Sequence, residues 1–132
     1  MNKGEKVVDV TERRAYERCD IHRPLEYRCE KGAPADSSVT QNLSEAGALI
    51  STKCALKKGM RLIVKIALDG PDFFLRSRVA RVERAGWGLY DVGIEFLDVS
   101  PDFMNKYYQV SSTHKQLRMN KAYDYIKNLR ID

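Results

Sequence analysis

The stretch Tyr90-Asp91-Val92-Gly93-Ile94-Glu95-Phe96-Leu97 decides the fold class. Tyr90, Val92, Ile94 and Phe96 fall on one parity and Asp91, Gly93 and Glu95 on the other, the two-residue period of a strand buried on one face. Just upstream, Gly86-Trp87-Gly88 is a tight reversal, with Trp87 expected as a core or hairpin anchor rather than a stacking platform. Before it, Phe73 to Arg84 reads as a second strand. Phe73, Leu75 and Val79 share one parity and Ala80 and Val82 the other, so the spacing predicts a β-bulge near Val79-Ala80. Leu62, Val64, Ile66 and Leu68 alternate in the same way between the turns Lys57-Lys58-Gly59 and Asp69-Gly70-Pro71-Asp72. Val39–Leu43 and Ala48–Thr52 read as strands either side of a tight loop. From Cys19 onward, Cys19, Ile21, Leu25, Tyr27 and Cys29 form one face of a strand bent at Arg23-Pro24 and ended by Lys31-Gly32-Ala33-Pro34-Ala35-Asp36. About six short strands with frequent turn signals predict an antiparallel barrel or sandwich.

Downstream the period changes. Ser100 as cap, Pro101 at the first helical position and Asp102 beside the positive helix end open a helix. Phe103, Tyr107 and Val110 give it an inward face. Met119, Ala122, Tyr123, Ile126 and Leu129 continue at three- and four-residue steps, a stripe expected to pack on the protein's own barrel in preference to a second subunit. Ser111-Ser112-Thr113 is a candidate break between two helices.

At 132 residues the chain fits one domain. With 23 lysines and arginines against 18 acidic residues it carries a formal charge of +5, which favours anionic partners in general. No apolar run reaches the length of a membrane span and Met1–Lys6 lacks a signal core, so a soluble, cytoplasmic protein without membrane insertion is expected. Cys19, Cys29 and Cys54 form no C-x-x-C pair and read as reduced thiols, Cys19 and Cys29 as small buried hydrophobes. His22 and His114 are too isolated for a zinc site. No paired carboxylates or nucleophile–base set stands out, so no enzyme, cofactor or metal is expected.

Two motifs carry the chemistry. Glu12-Arg13-Arg14-Ala15-Tyr16-Glu17-Arg18 sets three arginines before the first strand, and Asn42-Leu43-Ser44-Glu45-Ala46-Gly47 follows downstream. A guanidinium offers a planar fork to a guanine O6/N7 edge, pairs with phosphate and stacks on a base. Alone, such arginines more often solvate a surface or pair with Glu12 and Glu17. Asparagine supplies donor and acceptor, serine either, and Gly47 is expected to permit a positive φ that exposes backbone N–H groups; these are also ordinary turn residues.

In this order before a barrel, Arg14-Ala15-Tyr16-Glu17-Arg18 (R-x-x-x-R, with the frequent extra arginine at Arg13) and Asn42–Gly47 (N-x-S-x-x-G) resemble the PilZ domain family, as does the glycine-centred strand Tyr90–Phe96. The resemblance covers roughly residues 12 to 110. It implies a mostly β fold, a six-stranded antiparallel β-barrel with a C-terminal α-helix or helices, divided as a flexible tail over 1–11, the barrel domain with its leader and first helix over 12–110, and a helical extension over 111–132. It implies a non-catalytic sensor of the bacterial second messenger cyclic di-GMP. Arg14 and Arg18 would take guanine edges and phosphates, Arg13 would stack on or pair with a second nucleotide, and Asn42, Ser44 and Gly47 would line the barrel surface beneath. The sequence departs from the pattern at Asn42, where aspartate is commoner. Arg81 falls where some relatives contact the ligand, although strand arginines are usually solvated.

The implied partners are cyclic di-GMP and an unidentified protein effector, not a nucleic acid polymer, with the chain a monomer or homodimer. The alternative is a PilZ-like adaptor working by protein contact alone, against which the intact arginines weigh. A small basic barrel for single-stranded nucleic acid would need aromatic platforms on a strand face, and the aromatics here lie mostly on apolar parity or in the helical tail.

Overall fold

The computed structural model describes residues 19–129, so Arg13, Arg14 and Arg18 lie outside the described residues. Six strands, β1 (Pro24–Cys29), β2 (Ala35–Leu43), β3 (Gly47–Thr52), β4 (Arg61–Ala67), β5 (Asp72–Gly86) and β6 (Leu89–Phe96), precede one helix, α1 (Pro101–Leu129). The strands close into an antiparallel barrel in the order β1-β2-β3-β6-β5-β4. Closure removes the sheet edges that a short chain would otherwise expose.

The alternation read from the sequence is the wall of this barrel. Leu25 and Tyr27 of β1, Leu62, Val64 and Ile66 of β4, Leu75 and Val79 of β5, and Val92, Ile94 and Phe96 of β6 all point inward and are buried. Cys19 and Cys29 are buried among the apolar residues, while Cys54 is half-buried; all three are free thiols. Inside the wall, the Tyr27 hydroxyl and Thr52 Oγ1 form a 2.7 Å hydrogen bond. Burial pushes the phenol pKa of Tyr27 upward. The register of β5 on β6 shifts between Val79 and Arg81, the bulge expected there, and a second shift lies between Thr40 and Asn42 where β2 meets β3.

The helix seals one mouth of the barrel. Ser100 Oγ accepts the Phe103 amide at 3.1 Å as the N-cap, and Phe103 is fully buried, edge-on to Phe73 and Phe96 at 5.4 and 5.6 Å between ring centroids. Tyr107 and Val110 follow one and two turns later, both buried. The helix is not broken at Ser111-Ser112-Thr113. Ser111 Oγ donates to the Tyr108 carbonyl at 3.2 Å, a bond within the helix that satisfies the hydroxyl without unwinding the backbone.

Two expectations fail here. The distal stripe does not pack on the barrel: Met119, Tyr123 and Ile126 are each more than half exposed. At about 100° per residue, these side chains point roughly 160° around the axis from Phe103, Tyr107 and Val110, so a straight helix cannot bury both sets on one barrel. Trp87 is not a core or hairpin anchor either. It is 99% exposed at the tip of the β5–β6 hairpin, which the long β5 carries beyond the packed wall.

Candidate functional site

The turn Asn42–Gly47 links β2 to β3, and its own side chains build it. Leu43 is fully buried and pins the turn to the core. The Ser44 amide donates to the Gly47 carbonyl at 2.9 Å, and Ser44 Oγ accepts the amides of Ala46 and Gly47, each at 3.1 Å. At 5% exposure, that hydroxyl is occupied in shaping the loop.

Gly47 does not need a positive φ, contrary to the sequence reading. Its requirement is space. Gly47 pairs with Glu95 across β3 and β6, and a β-carbon on it would fall against the carbonyl oxygen of Ile94 and 3.3 Å from that carbonyl's carbon. Next to it, the Phe96 amide donates to the Ala46 carbonyl at 2.8 Å. The glycine lets the turn lie flat on β6.

Cross-strand register extends the site beyond the motif. Asn42 stands opposite Leu49, Leu49 opposite Gly93, and Gly93 opposite Arg81, a row crossing β2, β3, β6 and β5 on the outer wall. The row presents an amide, an aliphatic side chain, a position with no side chain, and a guanidinium. A β-carbon on Gly93 would lie 3.9 Å from Arg81 Nε, so the arginine leans over the gap that the glycine leaves. Arg81 has no hydrogen-bond or ion-pair partner among the described residues, whereas Arg78 is held by Glu95 at 2.5 Å. Beside the row, Asp91 accepts Ser51 Oγ at 3.0 Å and Gln41 Nε2 at 3.1 Å, and Gln41 Nε2 also donates to Ser51 Oγ, so that carboxylate is occupied. The shelf is flat and has an open guanidinium at one end, a shape that suits a planar, hydrogen-bonding ring. Leu49 and Gly93 were not singled out from the sequence, because their place in the site depends on register.

The root of the arginine leader is tied to the same turn. Cys19 and Leu43 exchange both backbone hydrogen bonds, at 2.9 and 2.8 Å. Leu43 is flanked by Asn42 and Ser44, so the residue that follows Arg18 in the chain is paired into the middle of the second motif. Helix α1 braces this junction. Tyr107 O–H donates to the Leu43 carbonyl at 3.2 Å and to Cys19 Sγ at 3.7 Å, and Tyr108 O–H donates to Glu45 Oε2 at 2.9 Å. Asp20 Oδ1 accepts His114 Nε2 at 2.8 Å and Arg118 Nη1 at 3.0 Å. The hydrogen bond from His114, helped by the charge of Arg118, holds the Asp20 carboxyl below the usual aspartate range.

An open groove of about 650 Å³ lies on another part of the wall, lined by Glu26, Arg28, Asp36, Lys65 and Phe74 among others, and contains none of the motif residues. Among the described residues, no group of three His, Cys, Asp or Glu side chains is arranged for a metal ion, and no helix is long and apolar enough to cross a membrane.

The family model of the PilZ domain matches residues 12–109. No curated protein matches the chain. The fold is similar to that of the PilZ domain of YcgR from Escherichia coli with c-di-GMP, at a TM-score of 0.63 and 16% identity over 83% of this chain and 98% of that one. It is also similar to the PilZ domain of CeSA from a cellulose synthesizing bacterium, at 0.55 and 22% over 74% and 98%. A third neighbour is the Bacillus subtilis inhibitor of motility (MotI/DgrA), at 0.63 and 15% over 80% of this chain and 52% of that one, so this chain spans about half of that protein. At these identities the structural likeness shows the fold alone.

Proposed function

The chain belongs to the PilZ domain family, and from that premise we propose that it is a receptor for cyclic di-GMP, non-catalytic, that relays the bound state to a protein effector. The observation that carries this reading is the Cys19–Leu43 pairing. The residue that follows the cationic motif in sequence is paired into the turn-forming motif, beside the row of Asn42, Leu49, Gly93 and Arg81. In this reading Arg14 and Arg18 close over the shelf, offering forked donors to guanine O6/N7 edges and to the phosphates, and Arg13 stacks on or pairs with a second nucleotide. Asn42 contributes a neutral amide, and Leu49 and Gly93 form the floor. Arg81 approaches from below with an uncommitted guanidinium. Ser44 and Gly47 act by holding the turn in place.

Two guanidinium groups closing on a dianionic ligand make charge-assisted contacts in a partly dry site, where such bonds are about twice as strong as neutral ones. The ordered leader and the bound dinucleotide together form a surface that is missing without ligand, which is how a non-catalytic receptor signals. E. coli YcgR, a neighbour of the same fold, has been solved in complex with c-di-GMP, and that supports the choice of ligand.

Calorimetric titration with cyclic di-GMP tests the reading. Binding at micromolar or lower concentration is expected, lost or severely weakened by Arg14→Ala and by Arg18→Ala while the melting temperature holds. ATP and single-stranded oligonucleotides should bind far more weakly at the same salt. Absence of heat and of chemical-shift change with ligand at millimolar concentration refutes it.

A further inference from the structure

Charge is divided between the two ends of the barrel. At the end sealed by α1, the segments 44–46, 68–72 and 97–102 carry Glu45, Asp69, Asp72, Asp98 and Asp102 and no lysine or arginine. At the opposite end, the segments 30–36, 53–61 and 83–89 carry Lys31, Lys53, Lys57, Lys58, Arg61 and Arg84 against Glu30, Asp36 and Glu83. All six of these cations are exposed, and none has an ion-pair partner among the described residues. Two of the three carboxylates are occupied: Glu30 pairs with Arg76 at 3.7 Å, and Asp36 accepts the Ser37 amide at 2.8 Å.

The β5–β6 hairpin projects from this basic end. Thr52, the last residue of β3, stands opposite Tyr90, and Tyr90 opposite Arg84, so Trp87 lies three residues, about 10 Å, beyond the rim that β3 sets. Among the described residues it is the only large apolar side chain exposed at this end, and Arg84, Ala85, Gly86 and Trp87 itself line no more than an open hollow. Behind it the β3–β4 loop returns to the base of the hairpin, where the Gly59 amide donates to the Val79 carbonyl at 2.8 Å, next to Lys57 and Lys58.

We propose that this end of the barrel rests on an anionic lipid surface, with Trp87 in the headgroup layer and the lysines and arginines of the rim facing the lipid phosphates. An indole favours that boundary because its rings are apolar while its N–H needs a polar partner. The tip stands out by little more than the Debye length of about 8 Å, so the rim still feels the negative surface when the indole is seated. Four of the six cations are lysines, whose long stems let the ammonium groups reach down to the lipid. The acidic end faces away, so the charge separation also sets the orientation. A protein partner would be expected to meet a cluster of apolar anchors, whereas Trp87 is flanked by Gly86 and Gly88. Single-stranded nucleic acid would need more than one stacking platform.

Trp87 is the chain's only tryptophan, so its emission reports this contact directly. The full chain, without nucleotide, is mixed with vesicles of phosphatidylglycerol or of phosphatidylcholine, and binding is read by cosedimentation and by tryptophan fluorescence. The expected result is binding to phosphatidylglycerol vesicles alone, with a blue shift of the emission and release by added salt. Trp87→Ala should weaken cosedimentation about tenfold, and Lys57→Gln with Lys58→Gln about twentyfold, at roughly fivefold for each cation. These side chains are exposed, so the variants should melt with the parent protein. No binding to phosphatidylglycerol at low salt overturns the proposal, as does equal binding to phosphatidylcholine. Binding undiminished by Trp87→Ala or by the lysine pair places the contact elsewhere on the chain and overturns it too. So does the same emission shift with a single-stranded oligonucleotide at matched phosphate, which assigns the tip to nucleic acid. Because no nucleotide ligand is present, the vesicle result is independent of whether cyclic di-GMP binds.

Discussion

Gly47→Ala is the sharpest probe of how the turn is built. Glycine at the end of such a motif invites a conformational explanation, but here the backbone is ordinary and the obstacle is the Ile94 carbonyl on the neighbouring strand. To admit a methyl group, β3 must part from β6 by roughly an ångström at its first pair. That shift overpacks the wall and strains the Phe96-to-Ala46 bond at 2.8 Å and the Ser44-to-Gly47 bond at 2.9 Å. Overpacking costs about 1–3 kcal/mol and each of the two strained, unbroken backbone bonds about 0.5 kcal/mol, so the loss should be about 2–4 kcal/mol. For a domain of this size that lowers the melting temperature by about 8–15 °C. Gly88→Ala is the matched control, because Gly88 has φ +66° with open space around it. There only left-handed strain applies, about 1 kcal/mol. Differential scanning calorimetry of both variants decides the matter: if Gly47→Ala melts no lower than Gly88→Ala, the close-approach argument is wrong.

Phe103→Ala should destabilise the fold by about 3–5 kcal/mol, since it empties the barrel mouth beneath Phe73 and Phe96; chemical denaturation measures it, and a loss under 1 kcal/mol would contradict the plug. Arg81→Ala should leave the melting temperature within a degree or two, because the guanidinium has no partner among the described residues, yet weaken cyclic di-GMP binding several-fold in calorimetry. Asp20 should titrate below an ordinary aspartate in a carboxyl-carbon NMR series. Its folded pKa is depressed, so the tie to α1 is fully present above the unfolded value of about 3.9 and is lost as pH falls through the folded one; His114→Gln should move the midpoint up, and no movement would detach His114 from Asp20.

The barrel was legible because its wall obeys a local rule. Inward parity in β1, β4 and β6 is a two-residue period that each strand carries by itself, and the bulge in β5 showed as a slip of that parity between Val79 and Val82. The two motifs were legible as strings of residue types. What the strings could not hold is register. Leu49 and Gly93 join Asn42 and Arg81 only because four strands from two separate hairpins align to within one residue, and the bulge between Thr40 and Asn42 contributes to that alignment. Trp87 was misread for a related reason: glycines either side mark a turn, but how far the hairpin projects depends on the length of β5 relative to its neighbours.

The helix shows the same limit from the other direction, and there the misreading is informative. Its apolar residues repeat at helical steps along its whole length, which looks like one continuous buried face. The direction of that face nevertheless turns between Val110 and Met119, and the interval is occupied by Ser111, His114 and Arg118, polar residues on or near the barrel side. A stripe that changes face partway cannot lie against one barrel along its whole length. The near set closes the barrel, and His114 and Arg118 at the crossover fasten Asp20, one residue after the buried Cys19. Helix α1 thus touches the turn through Tyr107 and Tyr108 and, two to three turns further on, Asp20 through His114 and Arg118, so one rigid element braces both.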